Sequence, residues 1–80
     1  MITVRLPAML GNGELHIEEG VANVGQLVDA LERLRPELRD QLHDSLFNFA
    51  VNDALVLHGA DDYPLAPGDV VEIIPTIAGG

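Results

Sequence analysis

The nine residues PGDVVEIIP, at positions 67–75, decide the fold of this 80-residue chain. The Pro-Gly-Asp sequence at 67–69 predicts a turn. The VVEII sequence that follows is almost continuously apolar, which is typical of a strand buried in the middle of a sheet. Pro75 should end that strand because proline has no backbone N–H to donate to a neighbour. The segment therefore predicts a central strand over residues 70–74.

The start of the chain predicts two more strands, joined by a tight turn. Apolar residues recur at every second position from Ile2 to Leu6, the period of a strand with one buried face. Leu15 and Ile17 repeat this alternation after a Gly-Asn-Gly sequence at 11–13, whose residues tolerate positive φ. The two segments are expected to pair as a hairpin.

An amphipathic helix is predicted between Asn23 and Pro36. Asn23 and Gln26 have the three-residue spacing of a helix N-terminal cap, and Pro36 ends the helical pattern. Between them the apolar residues recur at helical spacing: Val24, Leu27, Val28, Leu31 and Leu34. We expect this apolar side of the helix to pack on the sheet.

The middle of the chain predicts a second, shorter helix and two further strands. Residues 36–46 contain two leucines four positions apart and start with proline, which suits the first position of a helix. Phe49 and Val51 indicate a third strand, Asn-Asp at 52–53 a turn, and residues 55–57 a short fourth strand.

The order strand, strand, helix, strand, strand, strand favours an α+β fold over a doubly wound one. One main helix would cover one face of a mixed sheet. Placing the first and last strands side by side in parallel gives the β-grasp, or ubiquitin-like, arrangement. We therefore predict a single β-grasp domain over residues 1–80, with a flexible C-terminal tail at 75–80.

Charge and composition exclude several classes of function. Thirteen acidic residues face four arginines and no lysine, giving a net charge of -9, so a nucleic-acid backbone would be repelled. The first residues do not form a signal peptide, and no stretch of about 18 apolar residues could span a membrane. A cytoplasmic location is expected, with neither nucleic acid nor membrane as partner.

Metal and nucleotide sites are not expected either. The chain contains no cysteine, so it has no thiolate ligand and no cysteine nucleophile. His16, His43 and His58 are far apart in sequence and lack a second ligand at metal-binding spacing. The Gly-Asn-Gly sequence at 11–13 lacks the Lys-Ser or Lys-Thr that follows a phosphate-binding loop.

The last residues of the sequence carry the clearest functional signal. Thr76-Ile77-Ala78-Gly79-Gly80 follows Pro75, and five extended residues can reach roughly 16 Å. The two glycines have no Cβ that would obstruct a narrow channel. Such a segment could deliver a carboxylate into the active site of another protein.

Along its whole length the chain resembles the ubiquitin-like sulfur carriers, specifically the small subunit of molybdopterin synthase (MoaD) and its relative in thiamine synthesis (ThiS). The resemblance rests on the strand at the start, the helix entry at Asn23-Val24, and the turn at Val51-Asn52. It also rests on LAPGDVV at 65–71, which leads to Pro75 and the terminal Gly79-Gly80.

The resemblance implies that Gly80 is adenylated by an E1-like (MoeB-type) activating enzyme, converted to a thiocarboxylate and presented to a large, MoaE-type subunit of molybdopterin synthase. A carboxylate is a poor electrophile, so ATP must activate it before sulfur can attack. The activating enzyme would consume this ATP, so no cofactor is expected on the chain, which would be a carrier and not an enzyme. The residues expected to occupy the partner's channel are Pro75, Thr76, Ile77, Ala78 and Gly79.

Three alternatives remain open. Thr76 and Ala78 stand where MoaD sequences commonly carry a second proline and a Ser or Thr, which leaves thiamine synthesis or another sulfur pathway possible. A ubiquitin-like modifier would instead join Gly80 to amines of target proteins. A noncovalent interaction module would not need Gly79-Gly80 at all.

The alternation of the first and last strands also predicts a partner-binding patch. If Ile2 and Val4 face the helix, Pro7 and Ile74 face away from it, and Leu55 can join them. An exposed apolar patch of this kind marks a partner site. The competing interpretation is that these side chains are edge residues of the core.

Overall fold

The computed structural model describes residues 1–44, 47–56 and 60–76. Its strands are β1 (Ile2–Arg5), β2 (Glu14–Ile17), β3 (Phe47–Val51), β4 (Ala54–Val56) and β5 (Val70–Pro75). The helices are α1 (Val24–Leu34) and α2 (Arg39–Asp44), and short 3-10 turns lie at Ala8–Leu10, Pro36–Leu38 and Ala60–Asp62. The strands form one mixed sheet in the order β2-β1-β5-β3-β4.

β5 is the central strand of the sheet, as its apolar sequence predicted. It runs parallel to β1, with Arg5 beside Glu72, and antiparallel to β3, with Phe49 beside Ile73. Parallel pairing of the first and last strands confirms the predicted β-grasp fold. β5 continues one residue further than expected, since Pro75 is paired with Phe47. Proline is tolerated there because the strand ends at this position and needs no further N–H donor.

The predicted hairpin of β1 and β2 is confirmed. The strands are antiparallel, with Ile2 beside Ile17. All three residues of the Gly-Asn-Gly sequence have positive φ: 99° at Gly11, 57° at Asn12 and 92° at Gly13. Glycine and asparagine adopt this conformation at the lowest cost, which explains why the chain turns here.

The predicted cap of α1 is also present. The side-chain Oδ1 of Asn23 accepts a hydrogen bond from the backbone N–H of Gln26 at 2.8 Å. The side-chain Oε1 of Gln26 accepts in turn from the N–H of Ala22, also at 2.8 Å. This reciprocal pair occupies N–H groups that would otherwise lack a partner at the start of the helix.

The core lies between α1 and one face of the sheet. Its most completely buried side chains are Leu27, Leu31, Val4, Val24 and Val71. Each contributes roughly 1.5–3 kcal/mol by leaving water. Residues 36–46 were expected to form a short helix, and the described part does so, as a 3-10 turn followed by α2, with Leu38 buried and Leu42 against the core.

One residue of the predicted apolar stripe does not reach the core. Leu34, the last residue of α1, has 55% of its surface exposed. It lies beside β2, where it lines a shallow hollow with Ala30 and His16. The helix ends here, and the buried leucine that follows is Leu38 from the next turn. No helix among the described residues is long and apolar enough to cross a membrane.

Candidate functional site

β5 ends at the same end of the sheet as β1, and the last described residues follow it there. We call this end of the sheet, where the two parallel strands finish, the exit edge. Because β1 and β5 are parallel, β1 ends at this edge too. Pro75 is the last residue of β5, and both Pro75 and Thr76 are exposed. The other predicted tail residues, Ile77 to Gly80, lie outside the described residues.

The face of the sheet turned away from α1, which we call the open face, is set by the two-residue period of the strands. On β5, Val71 and Ile73 are buried in the core at 0% and 2% exposure, whereas Ile74 is half-buried and is not part of the core cluster. Glu72 and Ile74 therefore point to the open face, as the alternation predicted. The role of Ile74 in a partner-binding patch stays a prediction.

A row of paired residues crosses the open face from one edge strand to the other. The row consists of Glu14, Arg5, Glu72, Ala50 and Leu55. Its first half is charged, with Arg5 Nε lying 3.4 Å from Glu14 Oε1. Its second half is apolar, so the open face changes character across β5.

Of the predicted patch residues, Ile74 and Leu55 lie on the open face and Pro7 follows the end of β1, so the three come from different parts of the sheet. Pro7 and Ile74 lie two residues beyond Arg5 and Glu72, so both lie at the exit edge. Leu55 is 54% exposed on the edge strand β4. β3 lies between β4 and β5, which puts Leu55 about 10 Å from β5.

Ala50 lies between Leu55 on β4 and Glu72 on β5, a position on the open face that the sequence pattern did not predict. It is paired with Glu72 on one side and Leu55 on the other, yet only 7% of its surface is exposed. Because its side chain is a single methyl group, its larger neighbours cover it. An alanine between two apolar residues gives no periodic signal that would have identified this position.

Charge is distributed unequally between the two sides of the molecule. On the helix side, a groove between α1 and the Ala60–Asp62 turn is lined by Asp29, Glu32, Asp61 and Asp62. On the open face, the β3 and β4 part of the central row is apolar, and Arg5 offsets the carboxylate of Glu14 in the charged part. A partner that covers the open face therefore has fewer charges to remove from water.

The described residues contain no group of three side chains suited to hold a metal ion. His16 is exposed on β2, 3.9 Å from Glu14 Oε2. The side chains of His43 and His58 lie outside the described part. The geometry of the site is therefore that of an exposed strand end beside an apolar surface.

A model of the ThiS family matches residues 6–80, which include β5, the exit edge and Gly79-Gly80. The chain belongs to the ThiS family. It is thus a member of the ubiquitin-like sulfur carriers, as the resemblance in the sequence indicated. No curated protein sequence matches the chain.

Solved structures with the same fold include other proteins that resemble this ThiS family member. A chain of the BexX/CysO complex from Amycolatopsis orientalis has a TM-score of 0.77 and 27% identity, with 100% of both chains covered. Urm1 from Trypanosoma brucei has a TM-score of 0.64 and 32% identity over 99% of this chain and 94% of its own.

A third similar structure is a complex of subunits 1 and 2 of the molybdopterin-converting factor from Helicobacter pylori. One of its chains has a TM-score of 0.68 and 23% identity, with 99% of this chain and 97% of that chain covered. At this identity the likeness shows the fold alone. Two of the three similar structures are complexes with a partner protein.

Proposed function

We propose that this chain is a sulfur carrier whose working group is the carboxyl of Gly80, and that it is not an enzyme by itself. The observation that carries the proposal is the family match, which runs through Gly79-Gly80. The central strand leads directly to this sequence with only four residues between Pro75 and Gly80. The carrier's own contribution is to present that carboxyl to its partners.

The chemistry begins with activation of the Gly80 carboxylate. An E1-like, MoeB-type enzyme would bind ATP, transfer its AMP to the carboxylate and release pyrophosphate. Hydrosulfide, or an equivalent donor at the sulfide oxidation level, then attacks the acyl carbon, AMP leaves, and a thiocarboxylate remains. When that sulfur passes to an acceptor, water supplies the oxygen that restores the carboxylate. The chain itself needs no bound cofactor for these steps.

The geometry of the exit edge supports this role. Thr76 to Gly80 can extend at most about 18 Å beyond β5. This length suits a partner whose reaction centre lies at the end of a channel, and Gly79 and Gly80 are the residues least obstructed by such a channel. Pro75, Thr76, Ile77, Ala78 and Gly79 would occupy it.

The open face supports partner binding beside the channel. Ile74 and Pro7 lie at the exit edge, and Leu55 extends the apolar surface across Ala50. A partner seated on these residues would receive the tail at the same time. We propose that the activating enzyme and the acceptor subunit both use this surface.

For the pathway, we propose molybdopterin synthesis, with this chain as the small subunit beside a MoaE-type large subunit. The turn and helix at 36–44 support this choice, because ThiS chains are usually shorter in this region. Thiamine synthesis or another sulfur pathway is the second candidate, favoured by the match to the ThiS model and by the 27% identity to the BexX/CysO structure. Sulfur transfer to a MoaE-type subunit, compared with transfer to a thiazole synthase, distinguishes the two.

Intact-mass analysis of the chain, produced together with its activating enzyme and a sulfur source, tests the carrier role. We expect a species in which one oxygen is replaced by sulfur, and its absence from a variant that lacks Gly80. Isopeptide-linked conjugates without a sulfur-containing form would indicate a protein modifier. Full activity of the Gly80 deletion would indicate a noncovalent module.

A further inference from the structure

β2 is an outer strand of the sheet, because the strand order of the described residues ends with it. A hydrogen bond from Leu6 N–H to the Gly13 carbonyl at 2.9 Å sets the phase of its pairing with β1. In an antiparallel pair, only every second residue bonds to the neighbouring strand. Glu14 and His16 therefore direct their backbone N–H and C=O groups outward, to the side that we call the β2 edge. Such groups can pair with an added strand.

An apolar hollow lies beside the β2 edge, between β2 and the end of α1. Its volume is about 240 Å³, and its lining includes Ile17, Ala30 and Leu34. Ile17 and Ala30 are buried at 3% and 1% exposure, whereas Leu34 is 55% exposed. A strand lying about 4.8 Å beyond β2 would direct every second side chain to the helix side of the sheet. An aliphatic side chain at such a position would enter the hollow and cover Leu34.

The charge beside the hollow selects between possible occupants. Glu14, Glu18 and Glu19 are exposed on β2 or directly after it. Arginines lie near two of them, with Arg5 at 3.4 Å from Glu14 and Arg33 at 2.9 Å from Glu19, and Glu18 adds a further carboxylate. A second copy of the chain would bring the same carboxylates and a net charge of -9 against them. A strand that carries lysine or arginine is complementary to this charge.

We propose that the β2 edge and the hollow bind an extended, basic segment of another protein, which adds as a strand beside β2. Hydrogen bonds to the backbone of Glu14 and His16 hold the segment, and an aliphatic side chain in the hollow gives specificity. The hollow lies at the Ile17 end of β2, which is paired with Ile2 at the start of β1. This end is opposite the exit edge, so binding here leaves the exit edge accessible.

The probe is a short peptide with blocked ends, in which isoleucine alternates with lysine. Titration into the full chain, followed by amide NMR, measures both affinity and hydrogen exchange. We expect a Kd below roughly 1 mM. The amides of Glu14 and His16 should exchange more slowly in the complex, because they then donate to the peptide.

N-methylation of the peptide tests strand addition against simple attraction of charge. One version is methylated at the isoleucine amides and the other at the lysine amides. Because only every second amide of an added strand faces β2, we expect one version to lose binding and the other to keep it.

Substitutions in the chain locate the bound peptide. Leu34→Ser removes a wall of the hollow without changing the charge, and we expect it to weaken binding at least fivefold, by about the loss typical of an interface anchor. Leu55→Ser is the matched control, because Leu55 is 54% exposed on the other outer strand, β4. Glu18→Gln should weaken binding and reduce its dependence on salt. Denaturant melts show whether each variant is folded.

Absence of binding at about 1 mM peptide would overturn the proposal. So would equal behaviour of the two methylated versions, or a larger effect of Leu55→Ser than of Leu34→Ser. Self-association of the chain that Leu34→Ser abolishes would assign the β2 edge to a second copy instead. Peptide binding is measured without an activating enzyme, so these outcomes are separate from the proposed carrier role, which the sulfur-for-oxygen exchange tests.

Discussion

Asn52 and Asp69 join two turns at the edge of the sheet opposite the tail. The side-chain Nδ2 of Asn52 donates a hydrogen bond to Asp69 Oδ1 at 2.9 Å, and Asn52 Oδ1 accepts one from Val70 N–H at 2.9 Å. Asp69 Oδ2 accepts from Ala66 N–H at 2.8 Å. These bonds connect the β3–β4 turn to the turn before β5, so they fix the start of the central strand.

We expect Asp69→Ala to lower the free energy of unfolding by about 1 kcal/mol, because it removes hydrogen bonds to Asn52 and Ala66 at the surface. Denaturant unfolding at neutral pH measures the change. Asp29→Ala removes an exposed carboxylate with no hydrogen bond of this kind and should have a much smaller effect. Equal effects of the two substitutions would show that only the charge matters.

The hydrogen bonds that Asp69 accepts also predict how the free energy of unfolding depends on pH. The hydrogen bond from Asn52, followed by that from Ala66, holds the pKa of Asp69 below its ordinary value of 3.8. A carboxyl whose pKa is lower in the folded state stabilises the protein above its unfolded pKa, and this stabilisation is lost as the pH falls through the folded pKa. The stability difference between wild type and Asp69→Ala should therefore be constant above about pH 5 and decrease below pH 3.8. A difference that increases on acidification would contradict this assignment.

Replacing a valine of β5 by alanine should cost more unfolding free energy on the core side of the strand than on its open face. Val71 is fully buried under α1, whereas its neighbour Val70 is only partly buried on the open face. We expect Val71→Ala to cost about 2–3 kcal/mol in unfolding free energy and Val70→Ala less than about half of that. Chemical denaturation of both variants checks the register, and similar losses would mean that α1 does not cover this face.

Ile74 should be an anchor for partner proteins. We expect Ile74→Asp to weaken binding to the activating enzyme by at least ~2 kcal/mol, as the loss of a central apolar contact does, and to reduce the carrier's own stability by less. Leu34→Asp is the matched control, because Leu34 is exposed on the helix side. Binding titrations run beside denaturant melts separate the two effects. Unchanged affinity for Ile74→Asp would remove the open face from the proposal.

A side chain at position 79 should block the reaction without affecting the fold. We expect Gly79→Val to unfold at the same denaturant concentration as wild type, because the tail follows the last strand of the core. Its adenylation should fail, since a β-branched side chain narrows the accessible φ and obstructs a channel. Pyrophosphate release with the activating enzyme measures this step. Normal release would show that the partner's site does not require glycine.

Much of the fold could be predicted because each sequence pattern used depends only on residues close together in the chain. The apolar run at 70–74, the Gly-Asn-Gly turn and the Asn23 cap each reflect a short-range rule, and the strand order then left few arrangements. The exposure of Leu34 could not be predicted, because helical period alone does not show where the sheet beneath a helix ends. The burial of Ala50 depends on residues in two other strands.

The functional site was predictable to a smaller extent. The alternation in β5 agrees with Ile74 lying outside the core cluster, whereas Pro7 follows the end of β1 and its place on the patch stays a prediction. The alternation could not show that β3 separates Leu55 from Ile74, because strand order is a property of the whole sheet. The Asn52–Asp69 contact joins residues 17 positions apart, and no sequence pattern links them.

The central position of β5 also determines when the protein can fold. β1 and β3 are not adjacent in the sheet, so no continuous sheet exists until residues 70–75 insert between them. Pairing between distant segments closes a long loop, and such contacts are slow to form. The complete sheet is therefore expected to form only when residues 70–75 pair with both of their neighbours, so the two halves of the sheet cannot be joined early in folding.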